Sequence, residues 1–268
     1  MTAYNLEMCS QTTRYIPFKN GQIALQGDGA NKKIILLIGR SNTQKNSAPL
    51  SRLLSELQME GYTLIWHQSK SEATSELLSL KVQPCIKLIP NIEKYPNHLT
   101  SKIIRKLIKA LILLAYPSQW GYFFPLKQQD SLCSKIKQYR TLLQNLGVDK
   151  EITILAHSAG GRVASMLDTE SNVKNLICFG YPFKDPKSGE DPTRIRNLEI
   201  QQKPFLIIQG RNDEYGGEDI LKRYQLSKSI SIQFIEANHD YEYLSDESWE
   251  IVTRAIEDFL RPKQGLST

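Results

Sequence analysis

The chain has 268 residues, 40% of them hydrophobic, which is enough for one large α/β domain or two small ones. It contains no uninterrupted run of 18 apolar residues and no basic start followed by an apolar block, so we expect neither a membrane-spanning helix nor a secretory signal. The net charge is +6, but residues 81–140 alone are at +9, with 11 Lys or Arg and two acidic residues. Because no nucleic-acid-binding motif accompanies this basic segment, we do not expect a nucleic-acid partner.

The cysteines indicate neither a disulfide framework nor a metal site. Cys9, Cys85, Cys133 and Cys178 are far apart in the sequence and form no CxxC pair. We expect them to be buried or idle thiols in a reducing compartment. Together with the missing secretory signal, they predict a cytoplasmic protein that needs no metal.

The predicted elements follow an α/β rhythm. No repeat or long linker divides the sequence, which favours a single domain over residues 1–268. The alternating stretch 21–27 predicts an antiparallel edge strand. Runs of successive apolar residues predict strands covered on both faces at 33–38, 62–67, 151–156, 175–180, 204–209 and 231–236. Amphipathic patterns predict helices over 48–61, 131–147 and 246–262, so we expect a mostly parallel sheet in a three-layer α/β sandwich.

Residues 98–125 interrupt this rhythm. Their first part predicts a helix with one apolar face and Lys102, Arg105, Lys106 and Lys109 mostly on the other. An aromatic cluster follows, formed by Trp120, Tyr122, Phe123 and Phe124. One interpretation is an ordinary helix with a solvated basic face. The other is a cap or insertion at about 85–125 over an active site, in contact with an anionic substrate or an anionic membrane.

The stretch 152–167 (ITILAHSAGGRVASML) changes from a β-rich run to small residues and then to a helix-compatible sequence. A nucleophilic serine above the end of a parallel strand requires a tight turn, so the residues two positions before and after it must be small. Ala156 and Gly160 hold these positions around Ser158. The stretch predicts a nucleophile elbow, with a purely structural turn as the alternative. The helix start would also offer the backbone N–H of Ala159 to a developing oxyanion.

A serine nucleophile needs a base that is oriented by a third group. In hydrolases built on such an elbow, the chain order is serine, acid, histidine. His67 and His98 precede Ser158, and His157 is the interchangeable residue of the elbow, with its side chain expected to point away from the serine. His239 follows the last predicted strand and is the candidate base, with an exposed loop histidine as the alternative.

The candidate acid is Asp213, on the loop after the predicted strand 204–209. Acids in this role belong at the carboxyl end of such a strand. The neighbouring Glu214 and Asp240 have a less suitable strand context. A turn-forming role for Asp213 is the alternative.

Four segments together resemble the small α/β-hydrolase family that includes dienelactone-hydrolase-like bacterial proteins and animal relatives of a chromatin acetyltransferase-complex subunit. They are AHSAGGRVAS, CFGYPFKDP, LIIQGRNDEYG and NHDYEYL, within residues 150–260. The resemblance implies the α/β-hydrolase fold, a triad of Ser158, Asp213 and His239, and an esterase-like activity, although some animal members act as complex components. The family's His-Gly-rich oxyanion segment is replaced here by LLIGRSNTQKNSAPL. The backbone N–H of Arg40 or Ser41 would then have to serve beside that of Ala159. Alternatively, the Arg40 guanidinium binds an acidic group of the substrate or is simply exposed to solvent.

These observations predict a cofactor-independent serine hydrolase that acts on a small ester or thioester. Trp120, Tyr122, Phe123 and Phe124 are expected to line an apolar substrate pocket. The rival hypothesis is a weak or inactive protein of the same fold that binds an acidic partner through the basic segment 81–140. The altered oxyanion segment favours the rival, and the complete Ser, Asp and His set favours the enzyme.

Overall fold

The computed structural model describes residues 13–19, 21–39, 48–87, 99–117, 131–241 and 244–261. The strands are β1 Arg14–Phe18, β2 Gly21–Gln26, β3 Lys33–Gly39, β4 Thr63–Ser69, β5 Glu151–His157, β6 Val173–Phe179, β7 Lys184–Asp185, β8 Gly189–Glu190, β9 Phe205–Gly210 and β10 Ile230–Ile235. The helices are α1 Ala48–Met59, α2 Lys70–Lys87, α3 Leu99–Leu114, α4 Leu132–Leu146, α5 Ala159–Ser165, α6 Pro192–Glu199, α7 Ile220–Arg223 and α8 Asp246–Leu260.

Eight strands form one sheet in the order β1-β2-β4-β3-β5-β6-β9-β10, and β7 and β8 form a separate antiparallel pair. From β4 to β10 in this order, every strand is parallel to its neighbours. The chain turns from β4 to β5 on the other side of β3, which creates a crevice at the carboxyl ends of β3 and β5. This mostly parallel sheet, flanked by helices, confirms the predicted α/β class.

The predicted strands are confirmed to within two residues at each end, and one expectation about their order is wrong. Stretch 21–27 forms β2, but β1 lies outside it, so β2 is not the edge strand. The sequence did not reveal β1 because the segment is short and contains Pro17. Proline lacks the N–H that an inner strand would donate, and it is therefore tolerated in a strand at the edge.

The core lies around the central strands. Every residue from Ile34 to Ile38 in β3 is buried, as is every residue of β9. Burial on both faces explains why these strands are apolar at successive positions. The amphipathic helix predicted over 48–61 is also confirmed, since the four leucines at helical spacing in α1 are all buried: Leu50, Leu53, Leu54 and Leu57.

The helix ends follow local capping rules. Ser131 begins α4 by accepting a hydrogen bond from the Ser134 N–H, and Ser245 begins α8 in the same way with Ser248. Gly147 ends α4 with a φ of 92°, a conformation that favours glycine. Both helices match the predicted 131–147 and 246–262. Helix α2 was not predicted, and it contains Pro84.

The chain divides into two compact units. The first comprises residues 1–14, 25–66 and 130–268, and the second comprises 15–24 and 67–129. In the second unit, Val82 and Ile86 of α2 pack against the apolar face of α3 formed by Ile104, Ile108 and Ile112. The single domain with a cap at 85–125 stays a prediction. None of the helices within the described ranges is both long and apolar enough to cross a bilayer.

Candidate active site

Ser158 lies at the turn between β5 and α5, in a conformation that residues other than glycine rarely adopt. Its φ is 55° and its ψ is −124°. Such a backbone costs about 1–3 kcal/mol and persists only where the surroundings hold it. The Ser158 N–H donates to the Phe179 carbonyl at 3.0 Å, and the Ser158 carbonyl accepts from the Gly161 N–H at 2.8 Å. These bonds fix the serine above the carboxyl end of β5.

The residues around Ser158 are small because backbone and side chains approach closely there. A Cβ atom on Gly160 would lie 2.6 Å from the Ile38 carbonyl oxygen of β3. A Cβ atom on Gly161 would lie 2.4 Å from the Cys178 Sγ atom of β6. The turn is thus pressed between both neighbouring strands, which is the steric situation that the sequence pattern indicates.

The structure brings Ser158, His239 and Asp213 together. The Ser158 Oγ atom lies 2.8 Å from His239 Nε2. On the other side of the ring, His239 Nδ1 lies 2.9 Å from Asp213 Oδ2 and 3.1 Å from Oδ1. His239 and Asp213 are buried, whereas Ser158 is partly accessible. Since an ionised carboxylate only accepts, Nδ1–H donates to Asp213, which leaves Nε2 free to accept the serine proton.

The Asp213 carboxylate has two further donors that the sequence did not reveal. The Tyr215 N–H donates to Oδ1 at 2.8 Å, and the Gln209 side-chain amide donates to Oδ2 at 2.9 Å. Gln209 is completely buried, donates also to the Gly216 carbonyl at 2.7 Å, and accepts from the Tyr181 N–H at 2.9 Å. Its only signal in the sequence is a polar residue at the end of an otherwise apolar strand.

Three further sets of contacts hold His239 and the turn that follows it. The Tyr215 ring lies 4.1 Å from the imidazole between centroids, at an angle of 32°. The Nε2 atom of the buried His157 lies 3.2 Å from the His239 carbonyl oxygen. The Asn238 side chain accepts from the N–H groups of Asp240 and Tyr241, which closes the turn after the imidazole. His157 is therefore part of the site's support, a role that its interchangeable place in the elbow did not suggest.

Two other titratable groups near Ser158 and Asp213 are kept neutral, the thiol of Cys178 and the hydroxyl of Tyr241. Burial raises the pKa of the Cys178 thiol, so little thiolate forms beside the serine. Burial, together with the charge of Asp213, raises the pKa of the Tyr241 hydroxyl, which donates to the Ile208 carbonyl at 2.8 Å. Both groups are therefore uncharged at neutral pH.

Several predicted site residues have a less complete description. Ala159 begins α5 and is exposed, next to the elbow. Arg40 and the aromatic cluster of Trp120, Tyr122, Phe123 and Phe124 lie outside the described residues. Glu214 is exposed, and it is Asp213 that contacts His239. Within the described ranges, no group of three His, Cys, Asp or Glu side chains is arranged to hold a metal ion.

Solved structures share the fold along most of the chain. An alpha-beta serine hydrolase homologue from Coxiella burnetii matches with a TM-score of 0.54 at 11% identity, covering 93% of this chain and 97% of its own. The esterase domain of a Rhodothermus marinus protein matches with a TM-score of 0.54 at 10% identity, covering 92% and 97%. The thioesterase domain from the curacin biosynthetic pathway gives 0.54 at 11%, covering 92% and 99%. This likeness establishes the α/β-hydrolase fold.

Sequence comparison agrees with the fold. Residues 124–258, about half of the chain, match the family described as alpha/beta hydrolase domain. The chain belongs to this alpha/beta hydrolase family. The matched range contains Ser158, Asp213 and His239. The predicted fold and the resemblance to α/β-hydrolases are thus confirmed, and the narrower group named above stays a prediction.

Proposed function

We propose that this protein is a serine hydrolase that cleaves a carboxylic ester or thioester through an acyl-enzyme. The observation that carries the proposal is the continuous contact from Ser158 Oγ to His239 Nε2 and from His239 Nδ1 to Asp213, at 2.8 and 2.9 Å. The strained backbone of Ser158 supports it, because such strain concentrates at functional sites. Two of the solved structures with a similar fold are an esterase domain and a thioesterase domain, which supports an ester or thioester as the substrate.

In this mechanism, Ser158 Oγ attacks the substrate carbonyl carbon while His239 Nε2 takes the hydroxyl proton. Asp213 holds the imidazole in the required tautomer and stabilises the imidazolium that forms. His239 then gives the proton to the departing alcohol or thiol, and the acyl group stays on Ser158. Water, deprotonated by His239, then attacks the acyl carbon, the bond to Ser158 Oγ breaks, and His239 returns the proton to Oγ as the acid is released. No cofactor takes part in these steps.

The oxyanion would be bound by the backbone N–H groups of Ala159 and Arg40. Ala159 is suited to this role because it follows the nucleophile at the start of α5. The close approach of Gly39, the residue before Arg40, to the elbow supports Arg40 as the second donor. A Cβ atom on Gly39 would lie 2.6 Å from the His157 carbonyl oxygen. The end of β3 therefore runs directly beside the elbow. Each such donor contributes about 10²–10³ in rate.

The remaining expectations from the sequence belong to the same proposal. Trp120, Tyr122, Phe123 and Phe124 would wall an apolar pocket for the acyl chain. The four segments quoted above support membership of the small dienelactone-hydrolase-like group. We further propose a cytoplasmic location for the protein, based on the scattered cysteines.

Fluorophosphonate labelling of the pure protein tests the proposed function. The wild type should be labelled at Ser158, because His239 activates this hydroxyl, and the Ser158→Ala variant should not be labelled. Ser165→Ala is the matched control, since Ser165 is a buried serine at the other end of α5 and should leave labelling unchanged. Labelling that survives in Ser158→Ala, or its absence in the wild type, would contradict the proposal and favour the non-catalytic binding protein.

A further inference from the structure

Helix α3 carries more apolar surface than its unit buries. Ile104, Ile108 and Ile112 form the face that packs against α2. A second set of large aliphatic side chains lies on an adjacent face at spacings of four, four and three residues, and we call it the exposed stripe. It consists of Ile103, Leu107, Leu111 and Leu114, with exposed fractions of 48%, 59%, 66% and 64%. Residues at these spacings lie along one side of a helix.

Among the described residues, the packed cluster between α2 and α3 contains Val82, Ile86, Ile104, Ile108 and Ile112 and no member of the exposed stripe. Four large aliphatic groups in a continuous row are also unlike the single exposed apolar residues that every protein surface contains. Contiguous apolar patches of this kind mark contact sites for membranes or other macromolecules. We therefore expect the exposed stripe to be a contact surface.

The charges on α3 indicate which kind of surface contacts the exposed stripe. Helix α3 contains Arg105, Lys106 and Lys109 on its remaining side, and no Asp or Glu. In the sequence, the segment 81–140 that contains this helix has a net charge of +9. A second copy of the chain would bring like charges together, which disfavours self-association through this face. An anionic bilayer offers both an apolar interior and a continuous negative surface, and it matches both properties at once.

We propose that α3 lies in the plane of an anionic lipid surface, with the exposed stripe inserted among the acyl chains. Lys106, which is exposed, and Lys109 then face the lipid headgroups. The 16-residue helix is about 24 Å long, which is too short to span a hydrocarbon core of about 30 Å but suits a position along its surface. This inference goes beyond the proposed hydrolase activity and does not depend on Ser158.

Co-sedimentation with phospholipid vesicles tests the proposal. Wild-type protein should bind vesicles of phosphatidylcholine with about one third phosphatidylserine, and should bind pure phosphatidylcholine vesicles much more weakly. Replacing both Leu107 and Leu111 with Gln should reduce the partition coefficient by about tenfold or more, since two buried aliphatic groups are lost. Replacing Lys106 and Lys109 with Gln should reduce it by about fivefold per charge, and raising the salt concentration should have the same direction of effect.

Two controls make the outcome specific. Ile200→Gln removes an equally exposed aliphatic side chain, 69% accessible, from the first unit and should leave vesicle binding unchanged. Ser158→Ala should also bind like the wild type, so that failure of the hydrolase proposal does not affect this one. Equal binding to neutral and anionic vesicles, or no binding at all, would overturn the proposal. So would a stable dimer in solution that the Leu107 and Leu111 substitutions dissociate.

Discussion

The buried side-chain amide of Gln209 stabilises the neighbouring carboxylate of Asp213 by a hydrogen bond. Its side-chain amide makes three hydrogen bonds: it donates to Asp213 and to the Gly216 carbonyl, and it accepts from the Tyr181 N–H. A buried carboxylate needs such donors, because an unpaired charge in a protein interior is strongly disfavoured. We infer that Gln209 is a positioning residue, which holds the carboxylate in the orientation that His239 requires.

Replacing Gln209 with Leu should therefore lower both stability and activity. The change leaves an Asp213 oxygen, the Gly216 carbonyl and the Tyr181 N–H short of a partner, and each such loss costs about 1–3 kcal/mol. We expect the free energy of unfolding, measured with urea, to fall by at least the cost of one such loss, about 1–3 kcal/mol. We also expect a lower kcat for a nitrophenyl ester with little change in KM, because the effect acts through the base and not through substrate binding.

Gln201→Leu is the matched control. Gln201 is also buried, but in the described part of the chain its side-chain amide has no hydrogen-bond partner. Its replacement should be neutral or slightly stabilising and should leave kcat unchanged. An equal loss of kcat in both variants would show that Gln209 has no specific role toward Asp213.

At the scale of elements, the β5–α5 elbow depends on the close approach of α5 to β3. Gly160→Ala would place a methyl group 2.6 Å from the Ile38 carbonyl oxygen, and backbone atoms of a central strand cannot move away easily. We expect a loss of about 1–3 kcal/mol in the free energy of unfolding and a displaced Ser158 with much weaker fluorophosphonate labelling. Gly29→Ala is the control, since its new methyl group would only touch Leu25 at 3.6 Å. Similar stability of the two variants would disprove this account of the elbow.

At the β7–β8 turn, the carboxyl of Asp185 makes the stability of the fold depend on pH, and its hydrogen bonds give the sign of this dependence. The N–H groups of Lys187 and Ser188 donate to Asp185 Oδ1 and lower the pKa of this carboxyl below its usual 3.8, and Arg194 adds to the effect. A lowered pKa in the folded state means that the ionised carboxylate stabilises the fold. This contribution is complete above pH 3.8 and is lost as the pH falls through the lower value in the folded protein.

Asp185→Asn should accordingly be less stable than the wild type at pH 7, and the difference should disappear in strongly acidic solution. The Asn amide would keep one oxygen for the two N–H groups but would present a donor to Arg194, which lies 3.2 Å from Asp185 Oδ2. Thermal unfolding at several pH values measures the difference. Asp258→Asn, at the exposed end of α8, should show no comparable effect. A difference that grows on acidification would have the wrong sign for this explanation.

At the scale of the whole molecule, the proposed chemistry and the basic charge are located in different parts of the chain. Ser158, Asp213 and His239 all belong to the first compact unit, which includes residues 130–268. Most of the basic segment and the exposed stripe of α3 belong to the second unit, within residues 67–129. The residues of the proposed chemistry and the exposed stripe therefore belong to different compact units of the chain.

We predict that residues 85–125 act as a cap that sets the length of the accepted acyl chain. Deleting residues 100–125 should lower kcat/KM for long-chain nitrophenyl esters about tenfold more than for the acetate, because the apolar wall is removed. Trp120→Ala should change the ratio in the same direction without shortening the chain. Fluorophosphonate labelling of Ser158 in each variant reports whether the core is intact. An unchanged ratio in labelled variants would rule out the cap.

The central part of the fold was predictable because its signals are local. Five or more apolar residues in succession, as in 34–38, indicate a strand with both faces covered wherever the strand lies in the sheet. The elbow was predictable for a similar reason, since its small residues are adjacent in the sequence. Helix α2 and strand β1 were not, because Pro84 and Pro17 weaken local patterns that the surrounding structure overrides.

The sequence by itself determined strands β2 to β6, β9 and β10, the small residues of the turn at Ser158 and the three residue types that the proposed chemistry needs. Composition and chain order within short windows encode these features. Only the tertiary structure decided that His239 Nε2 lies 2.8 Å from Ser158 and that Gln209 and His157 support the site. These contacts join residues far apart in the chain, such as His157 and His239, and depend on sheet order and loop geometry. No pattern along the sequence specifies such distances, since they result from packing of the whole unit.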